Sequence, residues 1–217
     1  VADGSEVLSA AWLSLSISAA AVAFAAVPGI ALAAAIGLAP PRVRVPFAVA
    51  ARVGMAFPTV LIGLLVYGLL TRHGPLGSWG LLFTPEAIVL GELFLAFPLI
   101  VALVETAIAS LDPRFRETAA ALRLSRTRTA WLALSESRDA VTLALLAAFA
   151  RCVTELGVAM LVGANIVGAT RTLTTAIALE TSRGDFDRAV RLGWVLVALA
   201  VGLNLAVVLL RVRRGRP

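Results

Sequence analysis

The 217-residue chain is 60% hydrophobic and only 15% charged, with a mean hydropathy of +0.95, which excludes an ordinary water-soluble domain and places it among integral membrane proteins. Its formal charge of +6 comes from 19 arginines, with no lysine, set against 13 acidic residues. The arginines gather at the ends of apolar runs instead of forming a stripe with interleaved aromatics, so the charge reports membrane topology and no nucleic-acid partner is expected. The single cysteine, Cys152, and single histidine, His73, exclude an internal disulfide and a Cys/His metal site, and no cofactor is expected.

A first apolar run covers residues 7–38. It is too long for a signal-peptide core and no basic region precedes it, so it is expected to be a retained span with the N-terminus outside. Pro28-Gly29 predicts a kink in it. Residues 39–46, APPRVRVP, are basic and rich in proline and predict a tight cytoplasmic turn. The second run, 47–70, holds Arg52 near its inner end, where it can snorkel to the interface, and Pro58 near its middle. Residues 71–84 (TRHGPLGSWGLLFT) predict an outer loop anchored by Trp79 and Phe83. A third run, 85–108, returns inward carrying Glu86, Glu92 and Glu105, of which Glu92 lies deep enough to need a partner or a water-filled cavity.

Residues 110–139, SLDPRFRETAAALRLSRTRTAWLALSESRD, form an arginine-rich island that lipid cannot solvate. Arg114, Arg116, Arg123, Arg126, Arg128 and Arg138 assign it to the cytoplasm. Asp112 as N-cap, Pro113 in the first turn and the run Ala119-Ala120-Ala121-Leu122 predict a helix, placed at 115–124 with Phe115, Ala119 and Leu122 on its apolar side and Arg116 and Glu117 exposed. A plain cytoplasmic loop held in place by its charge is the other reading. A fourth run, 140–162, contains Arg151 and Glu155, which are four residues apart and so neighbours on one helical face. They predict a buried ion pair, either a fixed packing bridge or one near a transport pathway. Residues 163–187 are too polar to span and suggest a re-entrant or interfacial helix on the outer side. A fifth run, 188–210, then leads to the basic end RVRRGRP inside. The expectation is an all-α transmembrane domain over 1–217 with five membrane helices, N-terminus out and C-terminus in.

Within the island, Glu117-Thr118-Ala119 begins a pattern similar to the EAA loop of ABC importer permeases, E-A-A, three residues, Gly, nine residues, I-x-L-P. Thr118 replaces the middle alanine, Arg123 stands at the glycine position, and Ala133-Leu134-Ser135-Glu136 occupies the last four. Three longer stretches resemble the permease subunit of tungstate ABC importers: GLLVYGLLTRHGPLGSWGLLFTP (63–85), SLDPRFRETA (110–119) and ELGVAMLVGANIVGATRTLTTAIALETSRGDF (155–186). The resemblance implies a type I importer permease of a bacterial or archaeal cytoplasmic membrane. It implies three partners in the bilayer and beside it: a second permease copy as homodimer, a cytoplasmic ATP-binding subunit and an extracytoplasmic tungstate-binding protein. It also assigns ATPase coupling to Phe115, Arg116, Glu117, Ala119, Leu122 and Arg123.

No G-x-x-x-x-G-K-[ST] stretch occurs, so ATP chemistry falls to a partner and the chain is not an enzyme by itself. For an oxyanion the candidates are Asn165, Thr170, Arg171 and Thr172 at the outer mouth and, at depth in the fourth run, Arg151 with Glu155. An ordinary solvated loop arginine is the alternative for Arg171. Molybdate or sulfate permeases and, as a different class, a secondary transporter using Glu92 and Glu155 are the competing functional readings. An intramembrane enzyme lacks its motifs, since neither H-E-x-x-H nor G-x-S-x-G is present.

Overall fold

A computed structural model describes residues 4–214, with side chains through residue 205 apart from that of residue 203. The described residues form ten α-helices in chain order: α1 (Gly4–Leu38), α2 (Pro41–Met55), α3 (Thr59–Leu70), α4 (Pro85–Ala109), α5 (Pro113–Ala121), α6 (Arg126–Glu136), α7 (Arg138–Val153), α8 (Gly157–Gly163), α9 (Leu173–Ser182) and α10 (Phe186–Arg214). A 3-10 turn, Gly77–Trp79, lies in the loop before α4. Among them α1 and α4 are each long and apolar enough to cross a membrane, and α2 with α3 and α7 with α8 meet that test as bent pairs. The 35 residues of α1 reach about 52 Å at 1.5 Å per residue, well beyond a hydrocarbon core of about 30 Å. Large side chains such as Leu8, Trp12, Phe24 and Val27 are left exposed along it, as a lipid-facing surface requires.

Several expected boundaries move. The run 47–70 is not one helix: α2 ends at Met55 and α3 begins at Thr59, because Pro58 supplies no backbone donor and disfavours helical backbone at Phe57. The turn expected over 39–46 shrinks to residues 39–40, since Pro41 occupies the first helical position of α2, where a missing N–H costs nothing. Pro28 does not interrupt α1. The run 140–162 divides at residues 154–156 into α7 and α8. The helix expected within 163–187 is α9, and the fifth run is contained in α10, which begins at Phe186. Of the basic C-terminal segment, residues 215–217 lie outside the described residues.

The chain divides into two compact units. One comprises Val1–Ala20, Thr59–Glu92 and Ala150–Pro217. Here α3 packs on α8 through Gly63, where a Cβ would stand 2.9 Å from Leu161 Cδ1 and 3.2 Å from the Val158 backbone, so a larger residue would push the helices apart. A second cluster joins Ala10 and Ala11 of α1 to Leu173 and Ala176 of α9 and Leu192 of α10.

The other unit comprises Ala21–Pro58 and Leu93–Phe149. The end of α1 lies against the end of α4, with Gly37 facing Ile108. Glu105, 2% exposed, is flanked by Arg44 at 3.8 Å and Arg52 at 3.6 Å, four residues to either side of the buried Ala48 of α2. The two guanidiniums offset the cost of placing a carboxylate near the end of an apolar helix.

Candidate functional site

The α5–α6 hairpin is shaped by its own sequence. Asp112 accepts from the Arg114 N–H at 2.8 Å and Pro113 takes the first helical position, so α5 has the expected cap and starts two residues before the expected 115. It ends sooner than expected. Leu122 caps it, Arg123 N–H donates to Ala120 O at 3.0 Å and Leu124 N–H to Ala119 O at 3.1 Å, which is a Schellman turn. That turn needs a left-handed residue, and Arg123 supplies it with φ +50°. The position that carries glycine in the EAA pattern therefore keeps the glycine conformation without the glycine. Ser125 then caps α6, accepting from Arg128 N–H at 3.3 Å, and α6 stops at Glu136 with Ser137 as C-cap. The helix break thus falls at Ser137, one residue after the position where the pattern carries proline.

The six residues singled out on this hairpin separate. Ala119 is buried and Phe115 half-buried, whereas Leu122, expected on the apolar side, is 64% exposed because it stands beyond the last turn. Glu117 and Arg123 are exposed. Arg116 is exposed along its stem, but its Nη2 donates to Gly37 O at 2.6 Å and so fastens α5 to the end of α1.

The second group surrounds the break between α7 and α8. Arg151 Nη1 lies 2.8 Å from Glu155 Oε2, so the pairing expected from their spacing occurs, but the pair expected to be buried is buried only at Glu155. Glu155 also caps α8: its Oε1 accepts from Gly157 N–H at 2.8 Å and Val158 N–H at 3.3 Å. Its own carbonyl accepts from Thr174 Oγ1 at 2.8 Å, tying the break to the first turn of α9. The Glu155 side chain is 3% exposed, while that of Arg151 is 42% exposed. Arg151 near the end of α7 and Thr154 just beyond it are both exposed.

The candidates expected at the outer mouth already have partners within the chain. Arg171 Nη1 pairs with Glu6 Oε1 at 2.6 Å and its Nε donates to Asn165 Oδ1 at 3.2 Å, so Arg171 and Asn165 meet each other and the start of α1. Arg188 extends the network to Glu6 at 3.4 Å and Glu180 at 3.6 Å. Thr172 is buried and caps α9 reciprocally with Thr175. Thr170, fully buried, donates to Gly163 O and accepts from Ile166 N–H at 2.9 Å.

Sequence reading gave Glu6 no role, and it did not foresee the framework bonds of Ser14 and Thr170. Ser14 accepts from Leu173 N–H 159 positions away, and no local pattern announces such a pairing. The threonine spacing before α9 was the one available signal. Glu92, expected to need a partner or a water-filled cavity, is 3% exposed; Ser18 and Cys152 stand beside its carboxylate, its Oε2 has no hydrogen-bond partner, and no arginine pairs with it among the described residues. No cluster of three or more His, Cys, Asp or Glu side chains suited to a metal ion occurs among the described residues.

Long apolar helices, a broken helix pair capped by the buried Glu155, and an exposed basic helical hairpin fit a polytopic membrane protein. No family model matches the chain. It is 39% identical to a probable anion ABC transporter permease of Haloferax volcanii over 88% of this chain and 85% of that protein. It is 41% identical to the tungstate uptake system permease TupB of Campylobacter jejuni over 69% of this chain and 63% of that one, and 32% identical to the TupB of Peptoclostridium acidaminophilum over 89% and 85%. The chain belongs to the anion and tungstate permeases of ABC transporters, components of the cytoplasmic membrane that are not enzymes by themselves.

Proposed function

We propose that the chain is the tungstate-translocating permease of a binding-protein-dependent ABC importer. The observation that carries the reading is its similarity to the two tungstate uptake permeases, supported by the preserved hairpin geometry at Arg123 and Ser137. The five spans are α1, the α2–α3 pair, α4, the α7–α8 pair and α10, with the N-terminus outside and the α5–α6 hairpin and C-terminus in the cytoplasm. Two copies related by a two-fold axis match two ATP-binding subunits, and an extracytoplasmic binding protein delivers the anion. Glu117 and Arg123, exposed on the hairpin, meet the ATP-binding subunit, with Phe115 and Ala119 seating α5, Arg116 pinning it and Leu122 offering an apolar contact.

Arg151 is the pathway cation. Glu155 holds it while the site is empty, and a passing dianion borrows its exposed donors, a weak interaction that permits release. Arg171, Asn165 and Thr172 act behind it by fixing the outer segment in place. Tungstate and molybdate share charge and shape and would meet the same donors, so selectivity between them belongs to the binding protein. The test is metal accumulation in cells expressing the permease with its ATP-binding subunit and binding protein. Tungstate uptake that stops when the ATP-binding subunit is inactivated is the expected result, and accumulation of sulfate in preference to tungstate would overturn the substrate assignment.

A further inference from the structure

A groove of about 670 Å³ opens between the end of α1 and the α5–α6 hairpin. Its floor is apolar and small, with Ala31 and Ala35 on α1, Ala119 on α5 and Ala130 on α6. At its rim stand two guanidiniums, Arg116 and Arg126, and no carboxylate lines it. Arg116 is fixed there by its bond to Gly37 O, which uses one of its five N–H donors. Arg126 has neither an ion pair nor a side-chain hydrogen bond among the described residues. Two cations with no counter-charge beside the apolar end of a span call for a ligand with an anionic head and an apolar body. Arg126 also begins α6, whose N-terminal end favours negative charge at the same rim.

We propose that this groove binds an anionic phospholipid of the surrounding bilayer, its phosphate between Arg116 and Arg126 and one acyl chain along Ala31 and Ala35. Basic pockets beside the ends of membrane helices recognise lipid headgroups in this way, and the apolar floor distinguishes such a site from one for free phosphate. The inference needs the chain to be membrane-embedded and is independent of which anion it transports.

The experiment is native mass spectrometry of the purified full-length permease titrated with phosphatidylglycerol or phosphatidylcholine. Selective retention of phosphatidylglycerol is expected. Arg126→Gln should weaken that retention about fivefold, the share of one arginine near a membrane surface. Ala35→Phe, at an exposed position, should fill the groove and remove the selectivity, while Arg114→Gln, the same charge change on α5 away from the groove, should leave it intact. Absence of any lipid preference in the wild type, or equal retention by wild type, Arg126→Gln and Ala35→Phe, would overturn the proposal. So would weakened binding of the ATP-binding subunit by Arg126→Gln and Ala35→Phe with lipid retention unchanged, because the groove would then be a protein interface.

Discussion

The α5–α6 hairpin and the α8–α9 region are both rich in polar side chains, and they manage charge in opposite ways. On the hairpin, Arg114, Arg123, Arg126 and Arg128 are exposed, and the shape depends on bonds between near neighbours: Asp112 to Arg114, Arg123 to Ala120, Ser125 to Arg128. Around α8 and α9, Glu155, Glu180 and Glu6 are buried or half-buried, and each is met by cations or backbone donors, sometimes from far along the chain, as Glu6 meets Arg171 across 165 residues. Exposed charges cost little in stability and remain available to a partner. Buried pairs are framework, and their loss leaves an uncompensated ion.

The sharpest way to break this contrast is Glu155→Ala. It strips Arg151 of its partner and removes the acceptor of two N–H groups of α8, so the loss of stability should be at least about 3 kcal/mol, read as a lowered unfolding temperature in detergent. Glu155→Gln keeps an acceptor for α8 and should lose less, and equal losses would show that capping contributes nothing. The double change Arg151→Met with Glu155→Met removes both charges together and should assemble better than Glu155→Ala while transporting poorly. Unchanged tungstate uptake by that double variant would reduce the pair to a packing bridge.

A smaller effect is expected at Glu6 and Arg171, whose side chains keep 33% and 13% of their exposure. A double-mutant cycle with Glu6→Gln and Arg171→Gln should return a coupling of about 1 kcal/mol, and additive losses would remove the pair from the framework. The smallest effect has the opposite sign. Arg123→Gly relieves a left-handed arginine and should stabilise the hairpin by up to about 1 kcal/mol, detectable as stronger hydrogen-exchange protection of Leu124 N–H. Weaker protection would mean that contacts of the Arg123 side chain matter more than its backbone.

What was legible in the sequence follows the same division. Asp112, Pro113 and the Arg151–Glu155 spacing act over one or two helical turns, so their caps and pairing could be read directly. The breaks in the second and fourth runs were less visible, because Pro58 marks one but the other depends on Glu155 turning to cap α8. Arg171 read as a pathway candidate since its partner, Glu6, sits in a short acidic stretch at the other end of the chain. The conformation at Arg123 was hidden for another reason: glycine announces a left-handed turn, and arginine does not.

The claim that the hairpin's exposed charges serve a partner is tested most directly by Glu117→Lys in the permease reconstituted with its ATP-binding subunit and binding protein. Reversing one exposed charge should leave the permease folded, with an unfolding temperature near that of the wild type, while ATP hydrolysis loses its stimulation by tungstate-loaded binding protein. Wild-type stimulation in the folded variant would contradict the account and remove Glu117 from the coupling surface.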